Sequence, residues 1–197
     1  VNQPHEYEVL HREEKYRGAI FTVVSDEVSM PGGGSARRDY TRNFNAAIVV
    51  ALDDAGQIVL VNQYRHPVGA FLWELPAGLV DVAGESGAQT ARRELAEEAD
   101  LVAARWDLLV ELHTSPGFTD EKASVYLARE LSPVPDADRH LRAHEEADLT
   151  LRRVDLDEAV AMVFRSEITN AAAVAGVLSA ARARDQNWAP LRPADPA

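Results

Sequence analysis

The spacing of hydrophobic and polar residues changes period along this chain, and each change predicts a different element. The first 44 residues alternate in short extended stretches, Tyr7 to His11, Ala19 to Val28 and Arg37 to Arg42. Between the last two lies Met30-Pro31-Gly32-Gly33-Gly34, which cannot continue a strand and predicts a loop. From Ala46 the pattern turns to β-branched runs, Ala46 to Leu52 and Gln57 to Tyr64, separated by Asp53-Asp54-Ala55-Gly56. A glycine-bearing polar spacer between two such runs predicts a hairpin. A short strand at Trp73 to Leu75 ends in Pro76-Ala77-Gly78.

The period then lengthens. Ser86 to Ala99 consists of good helix formers, and Ala88, Ala91, Leu95 and Ala99 form an apolar stripe at spacings of three and four. Further strands are predicted at Asp107 to His113, Ala123 to Glu130 and Leu149 to Val154, and helices at Leu156 to Phe164 and Asn170 to Arg184. Strands, one central helix, strands and then helices predict an α+β fold, an α/β/α sandwich with a mixed sheet, and not a regular βαβ alternation. The expected organisation is an N-terminal β segment over 1–44, a main domain over 45–188 and a tail over 189–197.

Composition narrows the chemistry. The 197 residues are 46% hydrophobic, enough for a sizeable core in spite of 32 acidic residues against 20 Lys plus Arg. With no cysteine there is no disulfide framework, thiolate zinc site or cysteine nucleophile. A net charge of −12 argues against a nucleic-acid partner, because tracking a phosphate backbone requires Lys and Arg. No apolar run approaches the ~18–20 residues that span a bilayer, and Val1 to His11 lacks a signal-peptide layout. The expectation is a cytoplasmic protein without a membrane partner.

The segment richest in chemistry runs from Gly78 to Glu85 and, after seven residues, through Arg93-Glu94-Leu95-Ala96-Glu97-Glu98-Ala99-Asp100-Leu101. On a helix, Glu94 and Glu98 are four apart and project from one face. Like charges at that spacing repel, and a divalent cation between them reverses the sign; Mg²⁺ and Mn²⁺ favour such oxygen ligands. Glu97 stands one turn from Arg93, and Glu85 can reach the helix N-terminus or Arg93. Taken alone, an acidic run of this kind is more often a solvated face with ordinary salt bridges.

Its context changes that weighting. The segment resembles the Nudix box, in which a glycine and a glutamate precede Arg-Glu-aliphatic-any-Glu-Glu-any-Gly-aliphatic. Two departures stand out: six residues instead of five separate Gly78 from Glu85, and Asp100 occupies the final glycine position. The extra residue falls in a loop, and Asp tolerates the positive φ expected at a helix C-terminus better than most residues. Trp73-Glu74-Leu75-Pro76-Ala77-Gly78, Pro116, the Met30–Gly34 loop and Tyr64-Arg65-His66 are similar to the ADP-ribose pyrophosphatase branch, especially its actinobacterial members. That resemblance, over roughly residues 7–185, implies a Mg²⁺-dependent homodimer, with Mn²⁺ a possible substitute, that hydrolyses ADP-ribose to AMP and ribose 5-phosphate. Within the family, alternatives are another nucleoside diphosphate derivative as substrate, or a nucleotide-binding module without turnover.

The same resemblance implies roles. Glu94 and Glu98, with Glu97 and the backbone carbonyl of Ala77, are the implied metal ligands; Arg93 and Glu85 hold the helix carboxylates. The implied general base lies in an acidic loop outside the box, here His144-Glu145-Glu146-Ala147-Asp148. Glu146 is the choice, with Glu145 the alternative and Asp148 a possible extra ligand. For the substrate, Arg65 offers paired donors to a phosphate or ribose. Arg38 lies in the segment that crosses to the partner subunit in this family, and Phe21 is a candidate to stack on adenine. Pro116 and Gly117 lie in a loop with the make-up of a cap over the terminal ribose, though they suit a plain turn equally.

Overall fold

A computed structural model of the protein describes residues 5–140 and 149–195. The chain divides into two compact units, Val1–Phe44 with His113–Lys122, and Asn45–Leu112 with Ala123–Ala197. The first is built on three antiparallel strands in the order β1-β2-β3: β1 (Val9–Arg17), β2 (Phe21–Ser29) and β3 (Ser35–Asn43). All nine residues of β1 are exposed, and it is fastened from one side. Arg12 donates from Nε and Nη2 to the buried carboxylate of Asp26 at 2.7 and 2.6 Å, and Tyr40 Oη donates to Asp26 at 3.1 Å. The Arg12 hydrogen bond holds the Asp26 carboxyl below the usual range, although burial opposes it.

His113–Lys122 joins this unit through β3. Thr41 N–H donates to Phe118 O, Asp120 N–H returns a bond to Thr41 O, and Asn43 N–H donates to Asp120 Oδ1 at 2.9 Å.

In the second unit the remaining strands are β4 (Ala46–Ala51), β5 (Gln57–Arg65), β6 (Ala70–Glu74), β7 (Ala77–Leu79), β8 (Leu101–His113), β9 (Lys122–Pro133), β10 (Thr150–Asp155) and β11 (Arg192–Pro193). They form a mixed sheet, β11-β8-β9-β4-β7, with β4 parallel to β9, and an antiparallel sheet, β10-β5-β6. The expected hairpin between Ala46–Leu52 and Gln57–Tyr64 does not form. Only the Leu52–Ile58 bridge joins those runs, and β4 and β5 go to different sheets. The physical reason lies in β4, which is apolar on both faces and takes a neighbour on each edge, β9 and β7.

The period of two along β4 separates two cores. Ile48, Val50 and Leu52 pack with helices α2 (Leu156–Phe164) and α3 (Ala171–Asp185) through Met162, Val177 and Ala180. Ala47, Val49 and Ala51 pack with α1 (Gly87–Ala99) through Ala88, Ala91, Leu95 and Ala99, the stripe that the spacing predicted. The result is an α/β/α sandwich on a mixed sheet. Past Trp188, Arg192 and Pro193 pair with Leu108 and Asp107 of β8, and Arg92 of α1 donates to Asp195 at 2.6 Å. No helix among the described residues is long and apolar enough to cross a membrane.

Candidate active site

Helix α1 carries the site, and its start is fixed locally. Ser86 Oγ accepts the Gln89 N–H at 3.2 Å while Gln89 Oε1 accepts the Ser86 N–H at 2.7 Å, a reciprocal cap that satisfies two otherwise orphaned donors. The helix ends at Asp100, with φ 54° and ψ 35°, the left-handed conformation expected there, and its N–H donates to Leu95 O.

Between these ends, one guanidinium gathers three carboxylates. Arg93 donates to Glu94 at 2.6 Å, to Glu97 at 3.1 Å and to Glu85 at 3.2 Å. Glu85, just ahead of the cap, also accepts Thr90 Oγ1–H at 3.0 Å. Burial works against the charge on Arg93, but the Glu85 hydrogen bond and the fields of Glu94 and Glu97 outweigh it and raise its pKa above the ordinary arginine value. The Arg93 hydrogen bond in turn lowers the Glu85 pKa.

Glu94 and Glu98 point inward, 7% and 5% exposed. The segment Leu75–Gly78 lies against both. Ala77 N–H donates to Glu98 Oε2 at 2.9 Å, while Ala77 itself pairs with Ile48 of β4. At Gly78 a Cβ would come 2.7 Å from Glu94 Cγ and closer still to its carboxylate, so the absence of a side chain is what lets Glu94 fold inward. The glycine serves close approach here, since its φ is one that any residue adopts.

Glu85, Glu94, Glu97 and Glu98 thus set four carboxylates against the single positive charge of Arg93 within one group. An all-oxygen donor set, half buried and acidic, suits a hard divalent cation. Among the described residues no group of three or more His, Asp or Glu side chains is placed so that it could hold a metal ion, because Arg93 occupies Glu85, Glu94 and Glu97 and the Ala77 N–H occupies Glu98.

The substrate candidates fall in both units. In the second, Arg65 donates from Nε and Nη2 to Glu74 at 3.0 and 2.7 Å, so the paired donors proposed for a phosphate grip a buried carboxylate instead. In the first unit, Arg38, Pro116 and Gly117 line one cavity of about 570 Å³ together with His113 and Lys122. Phe21 lines a second cavity of about 450 Å³ with Tyr40, Phe118, Thr41 and Asn43. Thr41 Oγ1 and Asn43 Oδ1 are buried without a hydrogen-bond partner. Glu145, Glu146 and Asp148 lie outside the described residues.

Several contacts escaped sequence reasoning. The signal that points to the Ser86 cap is the Ser-x-x-Gln spacing from Ser86 to Gln89, a known pattern of helix starts. The steric role of Gly78 and the pairing of Glu74 with Arg65 had no sequence signal, because both depend on strands brought together by the fold.

The chain belongs to the Nudix family: the NUDIX domain matches residues 42–174. Members of this family typically use a divalent metal. Among its relatives, the ADP-ribose pyrophosphatase of Mycobacterium tuberculosis (strain ATCC 25618 / H37Rv) is 48% identical over 97% of this chain and 90% of its own length. The ADP-ribose pyrophosphatase of Bacillus subtilis (strain 168) is 32% identical over 84% of this chain and 88% of its own. A protein named methanol dehydrogenase activator, from Bacillus methanolicus, is 31% identical over 87% and 91%. A crystal structure described as an ADP compounds hydrolase superposes with a TM-score of 0.78, covering 94% of this chain and 98% of that one at 24% identity, a likeness of fold alone.

Proposed function

We propose that this protein hydrolyses the diphosphate of ADP-ribose, giving AMP and ribose 5-phosphate. The observation that carries the reading is the 48% identity, along 97% of the chain, to a relative named for that activity. The box carboxylates are all present, and Glu94 and Glu98 are drawn inward beside Gly78. In the reaction one P–O bond of the diphosphate breaks and the oxygen of a water molecule forms a new bond to phosphorus.

Glu94 and Glu98, with Glu97 and the Ala77 carbonyl, would hold Mg²⁺, or Mn²⁺ in its place. Such ions supply charge screening of the diphosphate and acidify water. The chain's own part is to keep the carboxylates oriented. Arg93 ties Glu94 and Glu97 to Glu85, and the Ala77 N–H fixes one oxygen of Glu98. Glu146, assigned from sequence alone, accepts the proton of the attacking water. Arg65 and Arg38 contact the phosphates or ribose, Phe21 stacks on the base, and Pro116-Gly117 caps the terminal ribose; the shared cavity of Arg38, Pro116 and Gly117 supports grouping those three.

A homodimer is part of the reading. Tyr7, Val9, Leu10, Tyr16 and Ile20 of the first unit are all more than half exposed, and sedimentation at micromolar concentration tests whether a second copy covers them.

Phosphate release from a panel of nucleoside diphosphate derivatives, coupled to a phosphatase and run with and without Mg²⁺, tests the activity. ADP-ribose is expected among the best substrates by kcat/KM, with turnover abolished by chelation. A better sugar nucleotide, NADH or oxidised nucleotide overturns the substrate, and tight ADP-ribose binding without turnover overturns the enzyme.

A further inference from the structure

Arg65 and Glu74 meet in an unusual way. On the β5–β6 ladder Arg65 lies opposite Ala70, and Glu74 lies opposite Val61, four positions away. At ~3.3 Å per residue that separates the two backbones by about 13 Å along the strand. Positions 61, 65, 70 and 74 share one face of the sheet, because side chains alternate with a period of two and cross-strand partners point the same way. The two side chains therefore lie along the face toward each other, closing the gap to 3.0 and 2.7 Å. A long cation at a strand end would ordinarily carry its head out into water. Here the guanidinium is drawn back to the start of the Leu75–Gly78 segment.

That destination matters because Glu74 directly precedes the residues that touch the box carboxylates. Pro76 O accepts the Val49 N–H at 2.8 Å, Ala77 N–H donates to Glu98, and Gly78 leaves the space that Glu94 fills. Glu74 is 2% exposed, whereas the Arg65 side chain is 41% exposed. The carboxylate is thus the buried, fixed member and the guanidinium is the member facing outward. The fork to Glu74 uses Nε and Nη2, one edge of the guanidinium, and so fixes its plane. An apolar residue at position 74 with Arg65 in water would serve the fold at least as well, since burying a carboxylate costs desolvation that pairing seldom more than offsets.

We infer that Glu74 is a positioning residue for phosphate recognition: its buried carboxylate fixes the plane and place of the Arg65 guanidinium beside the segment that holds Glu94 and Glu98. The inference rests on the reading of Arg65 as a contact to the phosphates or ribose of the substrate.

The test compares Glu74→Gln, Glu74→Met, Arg65→Lys, Arg65→Met and the double variant Glu74→Gln/Arg65→Lys with the wild type. The readouts are kcat and KM on the best substrate of the panel, calorimetric affinity for ADP-ribose with divalent ions chelated, and thermal unfolding. Both Glu74 variants are expected to raise KM and weaken metal-free binding by about 10–100-fold, the cost of losing an oriented clamp, while kcat changes much less. Arg65→Lys should fall in the same range, because an ammonium cannot form the fork. The double variant should be no worse than the worse single one. Glu74→Met keeps the test open should Glu74→Gln unfold, since it buries no polar group that needs a partner.

Wild-type KM and affinity in a folded Glu74 variant, or losses that multiply in the double variant, overturn the positioning role. A wild type that prefers another nucleoside diphosphate overturns the substrate reading only, and Glu74 is then judged on that compound. Wild-type behaviour of Arg65→Lys and Arg65→Met alike overturns the Arg65 contact itself.

Discussion

Replacing Gly78 by alanine is the sharpest test of how the second unit builds its acidic group. The new Cβ would stand 2.7 Å from Glu94 Cγ, where ordinary contacts begin near 3.4 Å, and nearer still to the carboxylate. Glu94 has to retreat by well over half an ångström, and its 2.6 Å bond to Arg93 is lost with it. The backbone is not strained, because Gly78 has no positive φ. Loss of one hydrogen bond between charged groups costs about 1.5–3 kcal/mol, and alanine returns about 0.4–1 kcal/mol through the unfolded chain. The net of about 0.5–2.6 kcal/mol corresponds to a fall of about 1–10 °C in thermal midpoint for a chain of this size.

Activity should respond far more. A displacement near 1 Å at a reacting group costs on the order of 10²-fold, so kcat/KM should fall at least that far while the protein still unfolds cooperatively. Steady-state hydrolysis with saturating Mg²⁺, beside differential scanning calorimetry, measures both. Glu94→Gln should match the loss, and adding Gly78→Ala to it should cost little more. Full activity in Gly78→Ala refutes the reasoning at Glu94, and loss of cooperative unfolding shows that Gly78 serves packing.

Other outcomes follow from single residues. Glu146→Gln should lower kcat by about 10²–10⁴ with Mg²⁺ affinity nearly unchanged, and wild-type turnover removes Glu146 as the base. Asp100→Gly should raise stability by about 0.5–1 kcal/mol, because glycine adopts φ 54° without a Cβ penalty; an unchanged or lower midpoint contradicts this. Asp26 has its carboxyl lowered by Arg12, so the stability it adds is complete above the unfolded-chain pKa of about 3.9 and is lost as pH falls through the lower folded value. Asp26→Asn should therefore flatten the dependence of the thermal midpoint on pH below about 4, and an unaltered acid limb argues against the Arg12 pairing.

The chemistry of the box was legible before the fold because it is local. Residues three and four apart on one helix share a face in any context, so Arg93, Glu94, Glu97 and Glu98 could be grouped by counting, and the stripe of Ala88, Ala91, Leu95 and Ala99 assigned to the core. The positive φ at Asp100 followed equally from its place after the last apolar residue. The misread hairpin marks the limit. Ala46–Leu52 and Gln57–Tyr64 look like neighbours with a turn between them, yet β4 pairs with β9 and β7 instead. Strand pairing satisfies hydrogen bonds across the whole sheet, and nothing in adjacent sequence names a partner 77 residues away, as Ala123 is from Ala46.

By itself, then, the sequence determined a box helix carrying Arg93 and three glutamates with Glu85 just ahead of it, an apolar stripe beneath it, and the family to which those residues belong. Tertiary structure decided which of these groups are buried and what each one faces: Gly78 under Glu94, the Ala77 N–H on Glu98, Arg65 drawn back to Glu74, and His113–Lys122 returned to β3. The difference is one of range. Helical neighbours are set by a rise of about 1.5 Å per residue, whereas these contacts join strands that are distant in sequence and meet only when the apolar faces of β4 and β9 are removed from water.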